Sequence, residues 1–594
     1  MMQLQVRQYM RRHTQRGRCL VAKAGPLKSV ALTLSLVIVL TACGGGSTPN
    51  VAPNVQAKAT AEPVASSGQV APAAAAAKVS FYAASRFAEQ ASFGPTPALV
   101  AELQAKGFEK WIDEQLALPQ VPIDVTPTEA IFALEQSDPG PRELQQYLVR
   151  QIMRRAIGGP DQLRQRTMWS LSQFVVNSSN GEPPARVNWA NLLYRNALGN
   201  YRTLLRETSV DRLMGFFLNN DQNRPKSAEC PHCAPNENYA RELMQLFSIG
   251  VFKLNLDGTA QRDSRGRFIE TYTQRDVEEL ARVLTGWTQD PNPPNRPQRD
   301  WANWSRPLVP STWPRERDAG AKTVMGKVFP AGQPTTKDLD DAIDMLMAHA
   351  NVAPFVATRM IQHLVKSDPT PAYVGRVAAV FNSSGSGVKG DMKAVVKAIL
   401  LDAEARAGDN SSTARKDDGK FREPFLHVMA LWRGMGCTSD PINSWDDTPL
   451  TSAQAPFNAP SVFGFYAPTD RAPGSNLLAP EQKLINTNEL RDRGNLAALP
   501  VGRDTVTNKH EVSRFKDAGC QVEALSAAFA KSPAAYADWL SMRHFRGAMP
   551  PTLRVNLAQL MSMPYPPYDA SDPYDGPLRL LNFALLTPYF GVIK

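Results

Sequence analysis

Apolar side chains recur along this chain at the i, i+3, i+4, i+7 spacing that places them on one face of an α-helix. Ala240, Leu243, Met244 and Phe247 form one such stripe, and Val277, Leu280, Ala281 and Leu284 form a second that Trp287 extends. Val374, Val377, Ala378 and Phe381 make a third; Val395, Val396, Ile399 and Leu400 a fourth; Phe425, Val428, Met429 and Trp432 a fifth. The punctuation agrees. Pro95 and Thr96 precede one helix, Thr273 reads as an N-cap, and Gly286, Gly408 and Gly434 fall near helix ends. Alternating strands are scarce: residues 252–256 and 267–272, separated by Asp257-Gly258 and a polar stretch, predict one small hairpin. The expected fold class is therefore mainly α, a large multi-helix body over 81–594 with at most a small β-hairpin. That length suffices for two or three ordinary cores or one continuous one, and residues 495–551 read either as part of the body or as an insertion.

One apolar run has a different character. Residues 30–42 follow a lysine- and arginine-rich start and end in Leu40-Thr41-Ala42-Cys43. A positive start, a short apolar segment and small residues before a cleavage point are the parts of a secretory signal. Thirteen such residues fall short of the roughly 20 that a helix needs to span a bilayer. Leu-Thr-Ala-Cys resembles the lipobox of bacterial lipoproteins, which implies that residues 1–42 are removed and that Cys43 is lipidated. The membrane is then reached through the lipid anchor only. Gly44 stands where an aspartate would signal inner-membrane retention, so the outer membrane is favoured in a Gram-negative host, facing the periplasm or the exterior.

The charge changes with this reading. The full chain carries +10, but residues 1–42 hold seven basic residues and no acid, so removing them leaves +3. A nearly neutral body has no electrostatic footprint for nucleic acid. Residues 43–80 are rich in Ala, Pro, Ser and Gly. Such a composition buries too little apolar surface to offset its ordering entropy and predicts a flexible tether.

Pro235-Asn236-Glu237-Asn238-Tyr239-Ala240-Arg241-Glu242-Leu243, Tyr272-Thr273-Gln274-Arg275-Asp276-Val277 and Leu284-Thr285-Gly286-Trp287 resemble the bacterial "domain of unknown function 1800" family. So do Asp161-Gln162-Leu163-Arg164-Gln165-Arg166, Lys420-Phe421-Arg422-Glu423-Pro424, Ser461-Val462-Phe463 and Leu478-Ala479-Pro480-Glu481, in the family's order. The resemblance implies an exported protein and, as a partner, a member of the "domain of unknown function 1501" family encoded nearby. This chain departs from the pattern where many members carry histidines. It has Trp169-Ser170-Leu171-Ser172-Gln173-Phe174 in one place and Arg317-Asp318 in the other.

The strongest candidate for chemistry is the motif Asn236, Glu237, Asn238, Tyr239, Arg241 and Glu242. Its i, i+4 spacing puts Asn238 with Glu242, and Glu237 with Arg241, on shared helical faces. Glu242 and Arg241, with Asp276 brought in from the next helix, can bind a polar ligand or supply a general base. A capped helix with a Glu237–Arg241 pair and a buried Glu–Arg network explains the same residues without chemistry.

Cys230-Pro231-His232-Cys233 matches a C-x-x-C redox motif. An activated thiolate needs a helix N-terminus at its first cysteine, whereas Pro235 delays the helix until after both. A local disulfide, a zinc site using His232 and a redox pair remain the three readings. Cys437 and Cys520 suggest a second disulfide. There is no G-x-S-x-G elbow, P-loop, H-E-x-x-H pair or dinucleotide fingerprint, so no cofactor and no metal site is predicted. The expected function is an envelope lipoprotein that binds or scaffolds another exported protein or a surface polymer. The alternatives are an exported hydrolase acting on such a polymer and, more weakly, a thiol oxidoreductase.

Overall fold

Ser80 and Thr96 each accept a backbone N–H from three residues ahead and so start the first two helices of the body, Phe81–Ala91 (α1) and Pro97–Lys106. The computed structural model describes residues 78–594 apart from 130–141, 179–181, 229, 291–303, 413–414, 416–417, 440, 442–453, 496–501, 504–509, 565 and 567. The expected signal peptide, Cys43 and the tether up to residue 77 lie outside the described residues.

The body is mainly helical. After α1 the elements that matter for the site are α2 (Arg142–Gly158), α3 (Gln162–Ser172), α4 (Asn238–Gln245) and α5 (Gln274–Val283). They are followed by α6 (Thr335–Ala348), α7 (Val352–Leu364), α8 (Pro371–Asn382) and α9 (Met392–Leu401). Then come α10 (Pro424–Gly434), α11 (Thr487–Asn495), α12 (Val522–Lys531), α13 (Pro533–His544) and α14 (Asp575–Leu585). Helix α7 packs on α3 and α8, α8 on α9, and α10 on α2 and α13. Each of the five apolar stripes is buried, and one continuous apolar core runs from Ala84 to Ile593. The disulfide Cys437–Cys520, with Thr438 N–H donating to Ala518 O, fixes the end of α10 to the segment before α12. Helices α12 and α13 pack on each other, α12 also on α14, so residues 513–544 contribute to the same core.

Strands among the described residues are short antiparallel ribbons. Lys322–Val324 (β1) pairs with Lys327–Phe329 (β2), and Lys420–Phe421 (β3) pairs with Val592–Ile593 (β4). The expected hairpin is present in altered form. Asp257-Gly258 closes a tight turn that bridges Leu254 to Ala260, a second turn bridges Arg262 to Phe268, and Phe252 bridges Glu270 directly. Gly258 takes φ +80°, which lets the chain reverse at once instead of reaching residue 267. No helix among the described residues is long and apolar enough to cross a membrane.

The interior also holds an unusual number of charges. Arg166, Lys322, Asp338, Lys420, Arg422, Glu423 and Glu481 are all buried. Charges at such depth are costly unless paired and hydrogen-bonded, and the pairings of Lys420, Glu423 and Glu481 define the site described next.

Candidate functional site

The motif residues of α4 have structural partners in most cases. Asn236 Oδ1 accepts from Asn238 N–H at 3.0 Å, and Asn236 N–H donates to Asn223 Oδ1 at 2.7 Å, which sets the entry to the helix. Tyr239 is buried and donates its hydroxyl to Ser209 at 2.7 Å. Arg241 pairs with Glu237 at 2.8 Å, and both meet Gln274 at the start of α5. Asp276 completes a capping box with Thr273 and accepts Met325 N–H at 2.6 Å, pinning the β1–β2 turn to α5. Burial opposes ionisation of Asp276, but these donors outweigh it and hold its carboxyl below the usual range. Glu242 differs. Among the described residues it forms no ion pair and its Oε2 is buried without a partner, and burial raises its pKa against the pull of Arg241. Of the three residues put forward for catalysis, one carboxylate remains uncommitted.

Cys230 and Cys233 form a disulfide in a turn five residues before α4, with Pro231 and His232 exposed. No group of three or more His, Cys, Asp or Glu able to hold a metal is found among the described residues. Trp169, at the first family position where histidine is common, is wholly buried and stacks on Phe425 with ring centres 4.2 Å apart. At the second, Arg317 and buried Lys322 both pair with Asp338, while Asp318 pairs with Arg282.

A denser constellation lies between α3, α7, β3 and the start of α10. Lys420, on β3, reaches Glu423 Oε1 at 2.9 Å and Glu481 Oε1 at 3.5 Å, and donates to the carbonyls of Gln362 and His363 at 3.2 Å. The other oxygen of Glu423 accepts from Gln454 at 2.7 Å, and that of Glu481 accepts the Ser367 hydroxyl at 2.9 Å. Prolines aim both carboxylates. Pro424 confines Glu423 to an extended conformation before the helix, and Pro480 opens the 3₁₀ turn that carries Glu481.

Burial alone would raise both carboxyls. The charge of Lys420 and the hydrogen bonds from Gln454 and Lys420 outweigh it at Glu423 and hold its pKa at about 2. At Glu481 burial wins, helped by the charge of Glu423, and the pKa stays raised. Two neighbouring carboxyls are thus pushed apart by one ammonium. His363 is kept neutral, with a pKa near 3, by burial and by Lys420.

Lys420 and Ser367 of this network also line a cleft of about 510 Å³, whose wall includes Lys366, Thr370, Glu404 and Asp418. Lys366 meets Glu404 at 2.9 Å and Asp418 at 2.7 Å, and Thr370 donates its backbone N–H to Glu404 at 3.2 Å.

Behind the network, Arg422 and Arg546 both pair with Glu89 at 2.7 Å, and Arg493 joins Glu489, His427 and the Arg422 carbonyl. The sequence motifs around 166, 420–424 and 478–481 therefore meet in space, although none of their residues had been put forward for chemistry. The available signal was a glutamate beside a proline in a segment that also carries a lysine, Glu423-Pro424 after Lys420 and Pro480-Glu481 before Lys483.

A family model described as "Protein of unknown function (DUF1800)" matches residues 86–592. Among curated proteins and solved structures nothing matches this chain.

Proposed function

The chain belongs to the family of unknown function DUF1800, and from that premise we propose that it is an exported envelope lipoprotein whose helical body binds a polar surface polymer. Export and anchoring are supported by the basic start, the short apolar run and Leu40-Thr41-Ala42-Cys43. Residues 43–80 then hold the body away from the membrane, which in a Gram-negative host is the outer one. The "domain of unknown function 1501" protein implied by the family resemblance belongs to this reading as a partner.

The observation that carries the binding role is the cleft. Lys366 on its wall is held by both Glu404 and Asp418, with Ser367 and Thr370 beside them, so it offers hydroxyls and oriented polar groups to a ligand. That suits a hydroxyl-rich chain lying along it, a concave site with a few converging polar groups.

The test is capture of polymer from the native envelope by wild type, by Ala472→Trp, which fills the cleft wall, and by Glu242→Gln. Retention by wild type and Glu242→Gln with loss in a folded Ala472→Trp is expected. Loss in Glu242→Gln alone would move the binding surface to α4, and capture of nothing by wild type would remove the reading.

One contact favours a hydrolase as the second reading. Ser367 lies on the cleft wall with its hydroxyl 2.9 Å from Glu481, the geometry of a nucleophile beside a base. A serine-reactive phosphonate that labels Ser367 in wild type and fails with Glu481→Gln is the expected result. An unlabelled wild type would dismiss it.

A further inference from the structure

A second cavity, of about 470 Å³, opens beside the disulfide Cys437–Cys520 and shares no lining residue with the cleft. The start of the helix Pro97–Lys106, the C-terminal end of α2 and the end of α10 enclose it. Leu99, Trp111 and Ile157 give it apolar walls, and all three are buried. Its size lies within the range of small-molecule sites.

Arg433 lines this cavity although the residue is only 3% exposed. Its Nε donates to the Gly94 carbonyl at 2.7 Å, and Nη1 to the carbonyls of Ala156 at 3.0 Å and Ile157 at 2.7 Å. The other terminal nitrogen, Nη2, has no acceptor among the described residues. It is not one of the polar atoms sealed off inside the body, so it opens on the cavity that Arg433 lines. Three carbonyls hold the guanidinium, but none bears a formal charge. Burial lowers its pKa to about 9 with no carboxylate acting on it, so Arg433 stays charged at neutral pH.

The bond to Gly94 brings this charge to the entry of the helix Pro97–Lys106, which lines the same cavity with Thr96, Pro97, Ala98 and Leu99. The first turn of that helix has one open donor. Pro97 carries no N–H, and Leu99 N–H is taken by Thr96 Oγ1 at 3.1 Å. Ala98 N–H has no acceptor among the described residues. A helix N-terminus favours a negative ligand, and here it adds to an independent cation. The one acid on the cavity wall, Glu102, lies a turn farther along the helix, half-exposed and paired with Lys106 at 2.8 Å.

One end of the cavity thus offers a charged donor and a backbone donor, and the remainder offers apolar surface. A phosphate would press further charged oxygens against apolar walls, at a cost in desolvation. A carboxylate has two oxygens for the two donors and can carry an apolar body. We propose that this cavity binds an organic carboxylate with an apolar body, its oxygens on Arg433 Nη2 and Ala98 N–H and its body against Leu99, Trp111 and Ile157. The site is independent of the cleft and of any polymer bound there.

The experiment is calorimetric titration of the protein with octanoate, with octan-1-ol as its uncharged match and with acetate as the anion lacking an apolar body. Octanoate is expected to bind at least about tenfold more tightly than either, the effect of a hydrogen bond to a charged group. Crystals soaked in 8-bromooctanoate should show an anomalous bromine peak beside Trp111. Ala98→Glu places an acid in the first turn, where a helix accepts one readily. It should weaken octanoate by about tenfold relative to Ala98→Gln while leaving octanol unchanged, and Glu102→Gln should strengthen octanoate. Arg433→Gln should abolish the preference for octanoate over octanol, and the Ala98 pair carries the test if that variant does not fold. Equal binding of octanoate and octanol or of octanoate and acetate, equal octanoate affinity in the two Ala98 variants, or no heat from octanoate would overturn the site.

Discussion

Lys420 holds Glu423 at 2.9 Å at a depth where neither side chain is reached by solvent. The same ammonium is the only cation within ion-pair distance of Glu481 among the described residues, so a single positive charge serves two buried carboxyls. Replacing Lys420 by Met should destabilise the fold by about 3–5 kcal/mol, because a buried charge without its partner is far worse than no charge at all. Adding Glu423→Gln to Lys420→Met should return part of that loss. Urea unfolding of the two variants measures it, and a cost below about 1 kcal/mol for the single change would deny the pair its structural weight.

Acid should loosen the body over a defined range. His363 and His544 have pKa values near 3 because burial disfavours the charged ring, and His427 is pushed down for the same reason. Between the ordinary value of 6.5 and about 3, the unfolded chain takes up protons that the folded chain refuses, so stability falls as pH falls. Glu423 acts in the same direction lower down. Its stabilisation is complete above its ordinary 4.5 and is lost as pH drops towards 2. Each histidine adds up to about 1.4 kcal/mol per pH unit within its window. Unfolding midpoints measured from pH 7 to pH 4 should therefore decline steadily, and His544→Gln should flatten the decline by about one proton.

Gly434 ends α10 against the His544 ring. A Cβ at that position would lie 2.3 Å from His544 Cε1 and 3.0 Å from the Arg543 carbonyl. Gly434→Ala should cost about 1–3 kcal/mol through overpacking. Shortening the opposing side chain in Gly434→Ala/His544→Ser should recover some of it, and thermal melts of the two proteins give the comparison.

The two disulfides should differ in weight. Cys437–Cys520 bridges a separation of 83 residues and Cys230–Cys233 one of 3. In the chain-entropy model these correspond to about 4–5 and about 2 kcal/mol. Paired alanine replacements at 437 and 520 should lower the melting temperature clearly more than those at 230 and 233. Equal shifts would mean that native-state packing, not loop closure, sets their contribution.

The helical part of this architecture was legible because periodicity is a local property. Val277, Leu280 and Ala281 are three or four residues apart, and Thr273 sits three residues before its capping partner Asp276, so both features can be read from one short window. The Asp257-Gly258 turn was legible too, but the strand it joins was not, since a polar strand on an exposed ribbon carries no apolar alternation. The buried network is of another kind. Arg166, His363, Lys420 and Glu481 are separated by tens to hundreds of residues, and nothing in the immediate neighbours of a lysine tells whether it faces water or another side chain. Depth is a property of the whole fold. For that reason Glu242, flanked by a recognisable helix, stood out more than Glu423, which lies deeper and in a richer network.

The pairing of β3 with β4 has a bearing on how the molecule comes to exist. Phe421 meets Val592, Lys420 meets Ile593, and the Arg422 guanidinium donates to the carbonyl of Phe590. Synthesis delivers a chain from its N-terminus, so the residues that shield positions 420–422 arrive long after them. Until then these charged side chains have water as their partner, and they are sealed only when residues 590–593 pair with them. Any chain joined directly after Lys594 begins at the wall of the cleft.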